Sequence, residues 1–221
     1  MDVAIGGGAF TDRRSAGKAL AEQLQSFAGR DDVVVLALPR GGVPVAYEIA
    51  TALGAPLDVL SVRKLGVPGH EELAMGAIAS GGVYSLDAEL IHHLGLTPDD
   101  MLKVVRAEQL ELDRRENAYR DHRQFPAVAG RTVILVDDGL ATGQTKSVAV
   151  QAVQRLKPRR IVVAVPVATR EACADLSGEA DVICALMPEP FYAVGAWYGD
   201  FSQINDDQVR ALLAEAAARG R

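Results

Sequence analysis

The sequence predicts an α/β fold, a central and mainly parallel sheet with helices on both faces, on three observations. Short β-branched runs alternate with amphipathic stretches, as when each buried strand returns through a helix. The runs Val33-Val34-Val35-Leu36-Ala37-Leu38 and Val133-Ile134-Leu135-Val136 are continuously apolar, the mark of strands buried on both faces. The chain has 221 residues, 49% hydrophobic and 24% charged. That is enough to bury a full core without metal or disulfide staples and short for two domains, so a single domain over 1–221 is expected.

The elements follow in order. A first helix fits 15–28, where Leu20, Leu24 and Phe27 fall at helical spacing and Gly29 stops it. The first strand, 33–38, breaks at Pro39-Arg40-Gly41-Gly42. A helix over 43–53 returns to a second strand, 57–62. An insertion over 63–130 is expected to hold a mobile loop, a hairpin (74–79 and 83–86 around Gly81-Gly82) and a charged helix over 97–119. That helix has Pro98 at its first position and places Glu108/Leu112 and Glu111/Arg115 one turn apart. Its charges read as a solvated face. The alternation then resumes: a strand 132–136, a Gly-containing turn, a helix to about 156, a strand 161–165, a short helix 169–176 and a strand 182–186. An irregular aromatic segment, 188–205, precedes a last helix over 206–218 capped by Asn205 or Asp206. No internal repeat or low-complexity tract interrupts the chain.

Composition excludes several function classes. No apolar run approaches the roughly 18 residues of a membrane span. The N-terminal segment lacks a basic region followed by an apolar one, so a cytoplasmic protein is expected. Cys173 and Cys184 are too few for a disulfide framework and read as free structural thiols. With 23 basic against 29 acidic side chains, the net charge of −6 argues against a nucleic-acid partner.

The chemistry is concentrated in VILVDDGLATGQT, residues 133–145. A buried strand delivers Asp137 and Asp138 to its carboxyl end, and a Gly/Thr turn then opens a helix. In open α/β sheets ligands bind at such strand ends, and a helix N-terminus offers free N–H groups to an anion. The combination suits a sugar phosphate, with carboxylates for vicinal hydroxyls and N–H and Thr hydroxyl groups for phosphate.

This segment resembles the signature of the type I phosphoribosyltransferases. The resemblance implies transfer of a 5-phosphoribosyl group from phosphoribosyl pyrophosphate, with magnesium, to a nitrogen acceptor, usually a nucleobase. It implies that Asp137 and Asp138 hold the ribose hydroxyls and that Ala141, Thr142, Gly143, Gln144 and Thr145 wrap the 5-phosphate. Magnesium would sit near Asp137 and Asp138, held mainly by substrate and not by a protein-only cage. Two further segments agree in order. Arg40, Gly41 and Gly42 resemble the pyrophosphate loop, and Arg63-Lys64 resembles the start of the flexible catalytic loop of the adenine and orotate enzymes. The family fold adds a small hood to the sheet, and many relatives are dimers, so a homodimer is an expectation.

Displacing pyrophosphate passes through an oxocarbenium-like transition state, so a departing polyanion must be stabilised and water excluded. Arg40, Arg63 and Lys64 would take the leaving-group charge under a lid over 65–80. The candidate hood, 188–205, gathers Phe191, Tyr192, Trp197, Tyr198 and Phe201 in a chain only 5% aromatic. Phe191, Tyr192 and Trp197, with His70 of the lid, are the candidate acceptor contacts. The competing reading makes the aromatics a satellite core and His70 a solvated loop residue. His92 and His93, adjacent on a helix, point about 100° apart and do not form a metal pair. Gly6-Gly7-Gly8 with Gly17-Lys18 lacks nucleotide-loop spacing.

The phosphate loop departs from the 6-oxopurine enzymes, which carry an acid where this chain has Ala141, and matches the adenine enzymes better. The long insertion fits neither, and the acceptor stays open. A regulator that senses phosphoribosyl pyrophosphate or a nucleotide in the same pocket is the second hypothesis.

Overall fold

The computed structural model describes residues 9–121, 123–141 and 144–219. Helix α1 (Arg13–Gln23) starts earlier than the apolar periodicity, because Asp12 and Ser15 cap it reciprocally. The Ser15 N–H donates to Asp12 Oδ1 at 2.7 Å and the Asp12 N–H to Ser15 Oγ at 3.0 Å. A 3-10 turn, Gln25–Phe27, replaces the expected last turn. Then follow β1 (Val33–Ala37), α2 (Gly42–Leu53), β2 (Leu57–Val59), β3 (Val62–Val67), β4 (His70–Ala79), β5 (Val83–Leu86), α3 (Ala88–His93) and α4 (Pro98–Arg120). The chain continues through β6 (Thr132–Val136), α5 (Gln144–Arg155), β7 (Arg160–Val167), α6 (Arg170–Leu176), β8 (Asp181–Leu186) and α7 (Asp206–Arg219). Asn205 caps α7, accepting from the Gln208 N–H at 2.9 Å.

The main sheet has the order β2-β1-β6-β7-β8, with every neighbour parallel. Alternate residues feed two cores. Val34, Leu36, Val133, Leu135 and Val163 pack with Val150 and Val153 of α5 and Leu176 of α6. Val33, Val35, Ile134, Val136 and Val162 pack with Leu20 of α1, Ile49 of α2 and Leu213 of α7. Each fully buried aliphatic side chain contributes about 1.5–3 kcal/mol, so both faces hold the sheet.

The insertion departs from expectation in two places. The strand anticipated over 57–62 divides: β2 pairs with β1 for three residues, and the chain crosses at Leu60-Ser61 into a second sheet, β3-β4-β5, all antiparallel. The expected hairpin of 74–79 with 83–86 is present as β4 and β5. The rest of the anticipated lid, 65–67 and 70–73, is strand as well: it completes β3 and begins β4, because Leu65, Val67, Met75 and Ile78 supply one apolar face that packs on Leu112 of α4. Helix α3, which carries His92 and His93 as expected, is capped by Asp87, which accepts from the Leu90 N–H at 3.0 Å.

A buried ionic cluster fastens this module to the core. Arg120, at the end of α4, reaches Asp58 of β2 at 2.8 Å, Glu116 at 2.6 Å and the Val59 carbonyl at 2.8 Å. Glu116 also accepts from the Ser80 hydroxyl, and Ser80 Oγ accepts from the Ser61 N–H at 2.8 Å. Burial pushes the Asp58 carboxyl above its ordinary range while Arg120 opposes the shift. Among the described residues no helix is long and apolar enough to cross a membrane.

Candidate active site

The chain leaves β1 toward β2 on one side and resumes at β6 on the other. The crevice beyond the carboxyl ends of β1 and β6 is therefore the switch point of the sheet, where open α/β folds bind ligands. Two turns meet there, Pro39-Arg40-Gly41-Gly42 after β1 and Asp137-Asp138 after β6. They touch so closely that any side chain at either glycine would force a neighbour to move. A Cβ at Gly41 would lie 2.0 Å from Asp138 Oδ2, and one at Gly42 would lie 2.6 Å from the Val136 carbonyl oxygen. The Pro39–Arg40 peptide is cis.

A cavity of ≈ 440 Å³ opens from this crevice. Leu38, Pro39 and Arg40 form one wall, Leu60 through Arg63 the floor, and Leu112, Arg114, Arg115, Ala118 and Tyr119 of α4 the far wall, with Asp137 and Asp206 completing the ring. Four guanidiniums thus surround one space, each backed by a carboxylate. Arg63 is held by Glu108, and Arg40 stands 3.8 Å from Asp206. Arg114 grips Glu111 through Nε at 2.8 Å and Nη2 at 2.9 Å, and Arg115 through Nε at 2.8 Å. These hydrogen bonds hold the Glu111 carboxyl down to about 2. The Tyr119 hydroxyl donates to Asp206 at 2.7 Å; burial first, and then this carboxylate, push it up to about 12, so it remains a donor.

The two adjacent carboxylates face different ways. Asp137 lines the cavity, and its Oδ1 accepts from the Asp138 N–H at 2.8 Å. Asp138 instead turns to Arg13 of α1, whose Nε donates to Oδ2 at 2.9 Å. Arg13 also donates to the Ser202 carbonyl at 2.8 Å and stacks 3.9 Å above the Phe201 ring. The Tyr198 hydroxyl donates to the Asp138 carbonyl at 2.6 Å, and burial, then the Asp138 charge, raise its pKa far above the ordinary range.

The aromatic segment follows the satellite-core alternative. Tyr198 packs with Ala16 and Val167, and Phe10, Phe191, Val194 and Trp197 close around it. Tyr192 is 77% exposed. Among the described residues Phe191, Tyr192 and Trp197 are not part of the cavity wall. Lys64 is exposed on the opposite face of β3 from Arg63, since strand side chains alternate, and His70 is exposed at the start of β4. Of the expected phosphate loop, Ala141 precedes the gap, Thr142 and Gly143 lie outside the described residues, and Gln144 and Thr145 enter as the first turn of α5. Gly6-Gly7-Gly8 lies outside them as well.

Sequence reasoning missed Arg13, Arg114, Arg115 and Tyr119, and read Asp206 only as a cap. The charges of α4 read as a solvated face; two of them instead line the cavity. The one available signal was that Leu112, Arg115 and Tyr119 share a helical face at three- and four-residue spacing.

Residues 10–185 match the family model of the phosphoribosyl transferase domain. The chain belongs to the phosphoribosyl transferase domain family. It is 45% identical over 208 residues to a protein named "Putative phosphoribosyl transferase" in each of two strains of Mycobacterium tuberculosis, CDC 1551 and H37Rv, with 94% of this chain and 47% of theirs covered. The chain spans about half the length of these curated relatives. The crystal structure of TT1426 from Thermus thermophilus is similar over 93% of this chain and 98% of that one, at 44% identity and a TM-score of 0.80. The phosphoribosyl transferase match includes the crevice, the insertion and Arg13, and stops before the aromatic segment and α7.

Proposed function

We propose that this domain transfers a 5-phosphoribosyl group from phosphoribosyl pyrophosphate to a nitrogen acceptor of small-molecule size, with a nucleobase as the acceptor class, and releases pyrophosphate. The observation that carries the reading is the arginine-walled cavity opening at the switch point beside Asp137. A polyanionic leaving group needs fixed positive charge, and guanidiniums already oriented by carboxylates supply it without reorganisation. Arg40 and Arg63 take the charge that builds on the departing oxygen. Asp137 accepts hydrogen bonds from the ribose hydroxyls, and Arg13 keeps Asp138 in place beneath Gly41. The turn over 141–145 and the N-terminus of α5 take the 5-phosphate.

Among the described residues no group of three or more His, Cys, Asp and Glu side chains could hold a metal. The sparse carboxylates of the cavity wall fit a magnesium ion whose other ligands are donor oxygens and water. When bound, magnesium supplies charge neutralisation on the pyrophosphate.

The test is pyrophosphate release from phosphoribosyl pyrophosphate and magnesium with pooled purine and pyrimidine bases. The reading expects release that requires a base and that Asp137→Asn abolishes.

A further inference from the structure

We propose that Arg114 and Arg115 of α4 form a second half of the leaving-group site, binding the pyrophosphate limb of the donor from the side opposite Arg40. The proposal rests on the phosphoribosyl-transfer reading above and assigns a role to a helix that the sequence presents as a solvated insertion.

The geometry supports it in three steps. First, the chain carries a net charge of −6, yet four of its basic residues surround one cavity, and two of the four come from one turn of α4. The acidic groups facing that space are Asp137 and Asp206, with Glu108 and Glu111 behind the arginines. A neutral acceptor base has no use for four guanidiniums, whereas a diphosphate presents oxygens to several at once. Second, the α4 pair is organised before any ligand arrives. Glu111 binds both side chains, Arg114 by two hydrogen bonds and Arg115 by one, so two planar forks flank one carboxylate on the α4 wall of the cavity. Such forks match phosphate oxygens better than an ammonium does. Third, the wall is fixed at both edges. Arg120, five residues beyond Arg115, is locked into the buried cluster with Asp58 and Glu116. Tyr119 reaches across to Asp206, which stands beside Arg40. The helix therefore holds a set distance from the pyrophosphate loop, and a diphosphate between them would be contacted from both sides.

Calorimetry of the whole chain with magnesium pyrophosphate, and separately with ribose 5-phosphate, tests the assignment. The Arg114→Gln/Arg115→Gln double variant is compared with wild type, with the Lys/Lys double variant, and with Arg160→Gln at the amino end of β7, across the sheet from the cavity. Loss of two charge-assisted contacts predicts pyrophosphate binding at least about tenfold weaker in the Gln/Gln variant, with ribose 5-phosphate held within about twofold. The Lys/Lys variant should recover part of the loss and Arg160→Gln should bind as wild type. Melting temperatures matching wild type establish that the exposed substitutions leave the fold intact. Pyrophosphate binding unchanged in the Gln/Gln variant, or an equal weakening of ribose 5-phosphate, overturns the subsite while leaving the transferase reading standing. Wild type that binds neither ligand overturns both.

Discussion

Arg13 Nε donates to Asp138 Oδ2 over 2.9 Å, joining two residues 125 positions apart and tying the first helix to the end of β6. Both side chains are largely shielded, at 8% and 17% exposure. The same guanidinium holds the Ser202 carbonyl and covers Phe201, so the segment after β8 and the end of β6 meet on one guanidinium of the first helix.

Arg13→Ala strands that carboxylate. Removing one partner of a shielded pair costs about 3 kcal/mol, which denaturant unfolding of the variant would read directly. Asp138→Asn in the Arg13→Ala background should then cost less than it does alone, since the partners are coupled. Strict additivity would show that the pair is not what holds Asp138.

The two glycines of the turn after β1 differ in what they face. At Gly41 an added methyl meets the end of the Asp138 side chain, which can swing away at the expense of Arg13. At Gly42 it meets the Val136 carbonyl and the Asp137 backbone, which move only with β6. Gly42→Ala should therefore be the more destabilising, by about 1–3 kcal/mol in thermal or chemical unfolding. The reverse order would contradict the packing described for this crevice.

Arg120→Ala leaves Asp58 and Glu116 buried without their cation and is expected to cost about 3–5 kcal/mol. The pH dependence has a definite sign. Burial already raises the folded-state pKa of Asp58 and Arg120 opposes it, so its removal raises that value further. A carboxyl with a raised folded pKa favours folding as pH falls through that value. The variant should lose less melting temperature relative to wild type in mildly acidic buffer than at neutral pH.

Glu111 behaves oppositely. Its folded value, about 2, lies below the ordinary 4.5, so whatever it contributes is present above 4.5 and lost as pH falls toward about 2. Acid unfolding of Glu111→Gln should lack that component, and its curve should run closer to flat across this window than that of wild type.

Much of this site could be read from the residues alone. β1 and β6 announce themselves because both faces are buried, and the turns that follow them carry Arg40 and Asp137 to one crevice by parallel pairing. The hairpin of 74–79 with 83–86 was legible, whereas the strand residues over 65–73 were hidden because Gly66, Pro68 and Gly69 interrupt the apolar alternation and imitate a loop. Arg114 and Arg115 look like any solvated helix pair until tertiary packing sets α4 across one cavity from the turn after β1. Arg13 was out of reach because its partner is 125 residues away. The aromatic segment showed its density in the sequence, but not that Tyr198 would turn inward to the Asp138 carbonyl.

On the proposed reading the crevice between β1 and β6 binds phosphoribosyl pyrophosphate and moves its sugar. Pyrophosphate release, with magnesium and pooled bases, measured side by side for wild type and Asp137→Asn, tests it most directly. Wild type should release pyrophosphate only when a base is present, and the variant should release none. Release that survives in Asp137→Asn would contradict the site assignment, and donor binding by wild type with no release from any base would contradict base transfer and point to a sensor built on the same crevice.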